Sequence, residues 1–300
     1  DLTIGAAFMF PEREDSDMYL NIIRGNAIDM VSTLQDSTKD VVASGRPISE
    51  WYEGWNLYQD YSSDHHGWCN IWYGGDMLFE GRCYVEIMSA LAGISVPETF
   101  TYPGNGFDGV LEWLKLLCLP EGEPASVHGN EYDAYYGAGL LAYCYGAVLN
   151  QDPIASAFEH RAANLLKRHS QAIKQYDYHR NSWAKAATAY LMHKYSGSAA
   201  EPLPFEEAAR QLDGTYHHEW HQNLIHRCAN KWASFSWGAI SSRRVTDSTK
   251  GSGLCGIVVP ARPDKDEPEP LVYCHPKSMV GEVEIRGEDG KWKKYPPESN

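Results

Sequence analysis

Positive charge is scarce in this chain. Twenty-six Lys and Arg stand against forty Asp and Glu, a formal net charge of −14. That balance argues against nucleic acid or an anionic membrane as a general partner. No apolar run is long enough for a transmembrane helix, and no signal peptide opens the chain. The first residue is Asp1 rather than Met, so the sequence reads as a mature form, an excised piece or a fragment. The expected location is secreted or periplasmic. Clustered cysteine is also missing. The seven cysteines include no CxxC and no zinc-type group, and their odd number argues against a complete disulfide framework. Cys83, Cys118 and Cys144 lie in apolar helical contexts and are expected as buried thiols. No cofactor and no metal is expected at the functional site.

Aromatics with polar edges are plentiful, with ten Trp and nineteen Tyr. Such rings suit sugar clefts, because the faces of pyranose rings are apolar. They also suit ordinary helix packing. Three hundred residues allow one large domain or two ordinary ones.

The chain is organised around residues 62–89, SSDHHGWCNIWYGGDMLFEGRCYVEIMS. A polar, aromatic loop carrying His65, His66, Trp68, Asn70, Trp72 and Tyr73 runs into a helix ending near Ala92. Met77, Tyr84, Met88 and Leu91 fall on one helical stripe. Asp76 and Glu80 sit in the first turns, where carboxylates suit the helix dipole.

Upstream, Asp15 or Ser16 caps a helix to about Leu34, with Leu20, Ile23, Ala27, Met30, Val31 and Leu34 inward. A short helix is expected around 49–58. Downstream, 107–118 is apolar at helical spacing. Residues 127–136, VHGNEYDAYY, form a second polar-aromatic loop before a helix over 137–149. In that helix Gly139, Ala142, Gly146 and Ala147 permit close contact. Asp152-Pro153 starts another helix to about Ala172. Residues 176–183, YDYHRNSW, form a third loop ahead of a helix ending at Tyr195, and 206–212 gives a last short piece.

Three times a loop with His, Asn and aromatics precedes an inner helix. His66, His128 and His179 are spaced about one helix pair apart, the pattern of helical repeats closed into a ring. The character changes near Trp232. WASFSW over 232–237 alternates as a strand, GLCGIVV over 253–259 reads as another, and 270–275 and 280–285 as two more. The expected fold is mainly α: an incomplete (α/α) toroid of antiparallel helix pairs over 1–229, then the start of an antiparallel β-sandwich over 230–300.

The stretches 56–67 (NLYQDYSSDHHG), 127–136 and 232–237 resemble those of the heparinase II/III-like and alginate-lyase group of polysaccharide lyases. That group commonly carries Asn-His-Gly where this chain has His65-His66-Gly67, so the His and Gly match and His replaces Asn. The resemblance implies cleavage of an acidic, uronate-containing polysaccharide by β-elimination. A donor must neutralise the uronate carboxylate, a base must remove the C5 proton, and an acid must protonate the departing oxygen. His66 is the first candidate, as base or as neutraliser, since its ordinary pKa is tunable around neutrality. Tyr132 and Tyr136 are the tyrosine candidates, with Tyr135 a third choice. His65, Trp68, Asn70, His128, Asn130 and Arg180 are the expected substrate-binding residues. Arg82 joins His65, His66, His128 and Arg180 in an expected positive cleft. The bland reading makes the histidines structural and Asn130 a helix cap.

Residues 216–226, YHHEWHQNLIH, hold the densest histidine cluster. On a helix His217 and His221 would share a face suited to a metal. The segment lacks HExxH and reads better as a polar interdomain linker. Two other function classes remain. A glycoside hydrolase on the same toroid would use paired carboxylates from Asp64, Asp76, Glu131 and Asp133. A non-catalytic carbohydrate-binding protein would use neither set.

Overall fold

The structure is a computed structural model and describes residues 2–62, 64–65, 68–69, 77–119, 122, 139–172, 178–220, 223–228, 231–236, 253–258, 283–286 and 292–295. The fold is mainly helical, with a small antiparallel sheet.

The helices are α1 (Leu2–Met9), α2 (Ser16–Val31), α3 (Ile48–Trp51), α4 (Leu78–Ala92), α5 (Gly106–Leu116), α6 (Leu140–Val148), α7 (Pro153–Ala172), α8 (Tyr178–Tyr195) and α9 (Phe205–Gln211). Two-residue ladders pair β1 (Val42–Ala43) with β2 (Arg46–Pro47), and β3 (Asp64–His65) with β4 (Trp68–Cys69). A meander joins β5 (Gly214–His218), β6 (Asn223–Cys228), β7 (Lys231–Ser236) and β8 (Gly253–Val258) in that order. β9 (Val283–Arg286) and β10 (Trp292–Tyr295) make a separate antiparallel pair.

Helix α6 is the hub. Every residue from Leu140 to Val148 is buried, and α4, α5, α7 and α8 all pack on it. A helix hydrophobic all round belongs in a core. Its small residues let neighbours approach: a Cβ on Gly146 would stand 2.7 Å from both Ala155 Cβ and Leu111 Cδ2. α7 starts as the sequence predicts. Asp152 Oδ1 accepts from the backbone N–H of Ile154 and Ala155, and Pro153 occupies the first helical position. Lys115 Nζ reaches Asp152 Oδ2 at 2.6 Å, tying this cap to α5.

Several expectations need correction. On α4 the expected stripe is not the buried one: Met77 and Leu91 are exposed, while Leu78, Phe79, Arg82, Cys83, Val85, Ile87 and Ser89 are buried. The buried face includes an arginine, which an apolar template rejects. Arg82 pairs with Glu86 at 2.6 Å and lies over the rings of Phe100 and Tyr145. Its charge is spent inside the core, so Arg82 does not join a positive cleft. The third loop is also shorter than expected. α8 begins at Tyr178, which puts His179 and Arg180 in its first turn rather than in a loop. The helix expected around 49–58 is only α3.

Apart from the two-residue ladders, the sheet begins at Gly214, ahead of the expected switch at Ala229. Residues 216–218 and 223–226 therefore lie on strands rather than in a polar interdomain linker, and His217 sits on β5, not on a helical face. Along β6 burial alternates, with Asn223, Ile225 and Arg227 inward. Two of those three are polar, so alternation of hydrophobicity does not betray the strand. β7 and β8 match the strands expected from WASFSW and GLCGIVV.

The sheet docks on the end of α5 through polar groups. Arg227 is buried, and its Nη1 donates to Leu116 O at 2.7 Å, Cys118 O at 2.9 Å and Lys115 O at 3.4 Å. Trp232 Nε1 donates to Leu116 O at 3.1 Å. The last carbonyls of a helix lack intrahelical partners, and a cation there also meets the negative end of the dipole.

Candidate functional site

The segment 52–62 connects α3 to β3 and contains the start of the NLYQDYSSDHHG stretch. It is fastened to the end of α2. Ser32 O accepts from the N–H groups of Asn56 (3.0 Å) and Leu57 (2.9 Å). Ser32 Oγ donates to Gly54 O, and Asn56 Nδ2 donates to Met30 O. The open carbonyls of α2 thus fix the loop, and Leu57 buries beneath it. The chain then folds back, with Tyr61 N–H to Tyr58 O and Tyr58 N–H to Ser62 O. Tyr61 adopts φ +60, costly for a bulky residue. Its ring rests on α5 at Gly109, where a Cβ would lie 2.2 Å from the ring.

This turn presents two features. One is an aromatic platform. Tyr58 stacks on Trp220 (centroids 5.8 Å apart, 23° between planes) and touches Trp55 (5.3 Å, 52°). Trp55 and Trp220 are 53% and 52% exposed. The platform therefore joins the loop after α3 to the β5–β6 turn, and its open ring faces can take the apolar face of a sugar.

Two residues from Tyr58 and from Trp220 lies an acid–imidazole pair, its His218 buried and its Asp60 side chain partly exposed. His218, at the end of β5, holds Nδ1 3.5 Å from Asp60 Oδ2, an ion-pair separation. Its ring meets Trp113 of α5 edge-on, 5.9 Å between centroids. Asp60 also accepts from the N–H and Oγ of Ser62. Burial pushes the Asp60 carboxyl up, but His218 and the Ser62 donors outweigh it and hold the group below its ordinary value. Asp60 is thus kept as a carboxylate, and is suited to orienting an imidazole rather than to giving up a proton.

That shift has a consequence for stability. A carboxyl depressed in the folded state stabilises it above its unfolded pKa of about 3.9 and loses that contribution as pH falls through the folded value. The wild-type urea midpoint is expected to drop below about pH 4 more steeply than that of Asp60→Asn. Parallel acid limbs in the two proteins would contradict the assignment.

The sequence-predicted residues stand as follows. His66, Asn70, His128, Asn130, Tyr132 and Tyr136 lie outside the described residues. So does the expected meeting of the first two loops. His65 on β3 pairs with Trp68 on β4, flanking His66 and Gly67 in sequence. Arg180 is on α8. Asp60, Tyr58, Trp55, His218 and Trp220 were not singled out by sequence reasoning, although the quoted stretches 56–67 and 216–226 contain four of them. The signal available was an Asp two residues before a Ser in an aromatic turn, the pattern of a carboxylate accepting from the backbone two residues on. The expectation of buried thiols holds for Cys83, Cys118 and Cys144.

No family model and no solved structure matches this chain. Among the described residues, no helix is long and apolar enough to cross a membrane.

Proposed function

We propose that this protein binds an acidic, uronate-containing polysaccharide and cleaves it by β-elimination. The observation that carries the binding half is the exposed Trp55–Tyr58–Trp220 platform. Two of its rings, Trp55 and Tyr58, stand shortly before the His65-His66-Gly67 element on which the lyase resemblance rests. In this reading the helices form an incomplete α/α toroid, with α6 and α7 one pair, and β5–β8 begin a sandwich.

The chemistry divides among few groups. Stacking holds a sugar ring while His65, His128, Asn130 or Arg180 offsets the uronate carboxylate. His66 takes the C5 proton, and Tyr132 or Tyr136 delivers one to the leaving glycosidic oxygen. Asp60 and His218 link the same two segments two residues away from the platform rings. A hydrolase needs a carboxyl raised enough to act as an acid. Asp60 shifts the opposite way, so it is not that acid.

Trp55→Ala and Trp220→Ala test the platform. An aromatic stacking contact of about 0.5–1.5 kcal/mol corresponds to roughly a 2–12-fold change in affinity. KM for a uronate oligosaccharide is expected to rise by that factor, with kcat little changed, because the platform binds substrate and transition state alike. An unchanged KM in both variants would remove the platform from the site.

A further inference from the structure

We propose that Cys144, Glu159 and His193 form a divalent metal site of zinc-like preference between α6, α7 and α8. Each supplies one donor atom, and the three atoms lie within 4.8 Å of one another. Thiolate sulfur, carboxylate oxygen and imidazole nitrogen are the donor types that Zn²⁺ takes in tetrahedral geometry. The three come from three different helices, so a bound ion would pin the hub helix to both neighbours. None of the three is among the residues assigned above to binding and elimination.

Glu159 supplies the independent observation. It is only 4% exposed, yet just one of its oxygens is bonded: Oε1 lies 2.7 Å from His193 Nε2. Oε2 is buried and has no hydrogen-bond partner in the structure. An unpaired carboxylate oxygen inside a core is costly, and a cation would satisfy it. Cys144 Sγ makes a long contact to Ala189 O at 3.8 Å, and its thiol also interacts with the Glu159 carboxylate. The His193 side chain is 37% exposed, which leaves an approach for the ion and room for water as a fourth ligand.

Charge balances on exchange. Burial and the neighbouring Glu159 hold the Cys144 thiol protonated, and the Glu159 hydrogen bond raises His193 despite partial burial. A dication would replace the thiol proton and, at pH below the raised His193 value, the imidazolium proton as well. Those protons leave to solvent, no bond between heavy atoms breaks, and no redox partner is needed. Affinity should therefore rise with pH.

The test is titration of the reduced full chain with Co(II), a spectroscopic stand-in for Zn(II). The expected result is one equivalent bound, with a thiolate-to-cobalt charge-transfer band that Zn(II) abolishes. The band should be lost in Cys144→Ser, and affinity should fall more than tenfold in His193→Gln. The latter side chain is partly exposed, so this variant should fold even if the buried Cys144 substitution does not. No thiolate band, which would mean that no cysteine binds the ion, or a band and affinity unchanged by His193→Gln, which would assign the metal to other cysteines, would overturn the proposal.

Discussion

The His66→Ala protein is expected to turn over a uronate polymer about 10²–10⁴-fold more slowly than wild type, with its circular dichroism unchanged. The magnitude follows from the step assigned to the imidazole. The C5 proton is weakly acidic even beside a neutralised carboxylate, and a base of pKa near the working pH is needed to take it. His66 follows His65, whose strand partner Trp68 closes the short ladder around it in sequence. The tyrosines give a companion measurement: Tyr132→Phe and Tyr136→Phe, made separately, should yield one large loss and one small one. A His66→Ala protein with full activity would take this histidine out of the mechanism and return the proton transfer to another group.

Replacing Arg227 with Met is expected to cost about 3–5 kcal/mol of stability, read as a lower urea midpoint and melting temperature. Arg227 makes two bonds of 2.9 Å or less to carbonyls at the end of α5, and each bond to a charged group contributes about 1.5–3 kcal/mol. Met preserves bulk but donates nothing, so buried carbonyls lose their donor. Trp232 Nε1 still serves Leu116 O, which limits the loss. Arg227→Lys should recover part of it, because an ammonium is a single charge without the planar fork. The same variant should weaken sugar binding. The sheet that Arg227 docks also carries His218 and Trp220 to the turn at Tyr58. A loss below about 1 kcal/mol would mean that the sheet is held by something other than this clamp.

Much of the helical part can be read from pattern alone. α2 starts at Ser16 after Asp15, α7 at Asp152-Pro153, and the small residues of 137–149 mark the hub. The α7 cap and the small residues of α6 are legible because they act locally, whereas Asp15 makes no capping bond to α2, which ends at Val31 and leaves Leu34 exposed. The failures on α4 and β6 share one cause, polar residues in the core. Arg82 hides the inward face of α4, and Asn223 and Arg227 hide the alternation of β6. Their burial depends on partners far away in sequence: Phe100 and Tyr145 for Arg82, the end of α5 for Arg227. No window of neighbouring residues contains that information. The platform escapes for the same reason. Tyr58 and Trp220 are separated by most of the helical domain and meet only because β5 packs beside α5.

The measurement that bears most directly on the central claim is the ultraviolet absorbance of the products. Incubation with uronate polysaccharides should generate a chain end carrying the unsaturated uronate chromophore, in step with a fall in polymer length. The signal should be weakened in Trp55→Ala and Trp220→Ala at low substrate and nearly abolished in His66→Ala. New reducing ends without that absorbance would contradict elimination and move attention to Asp64, Asp76, Glu131 and Asp133. Binding without any cleavage would make the protein a carbohydrate-binding module and not an enzyme.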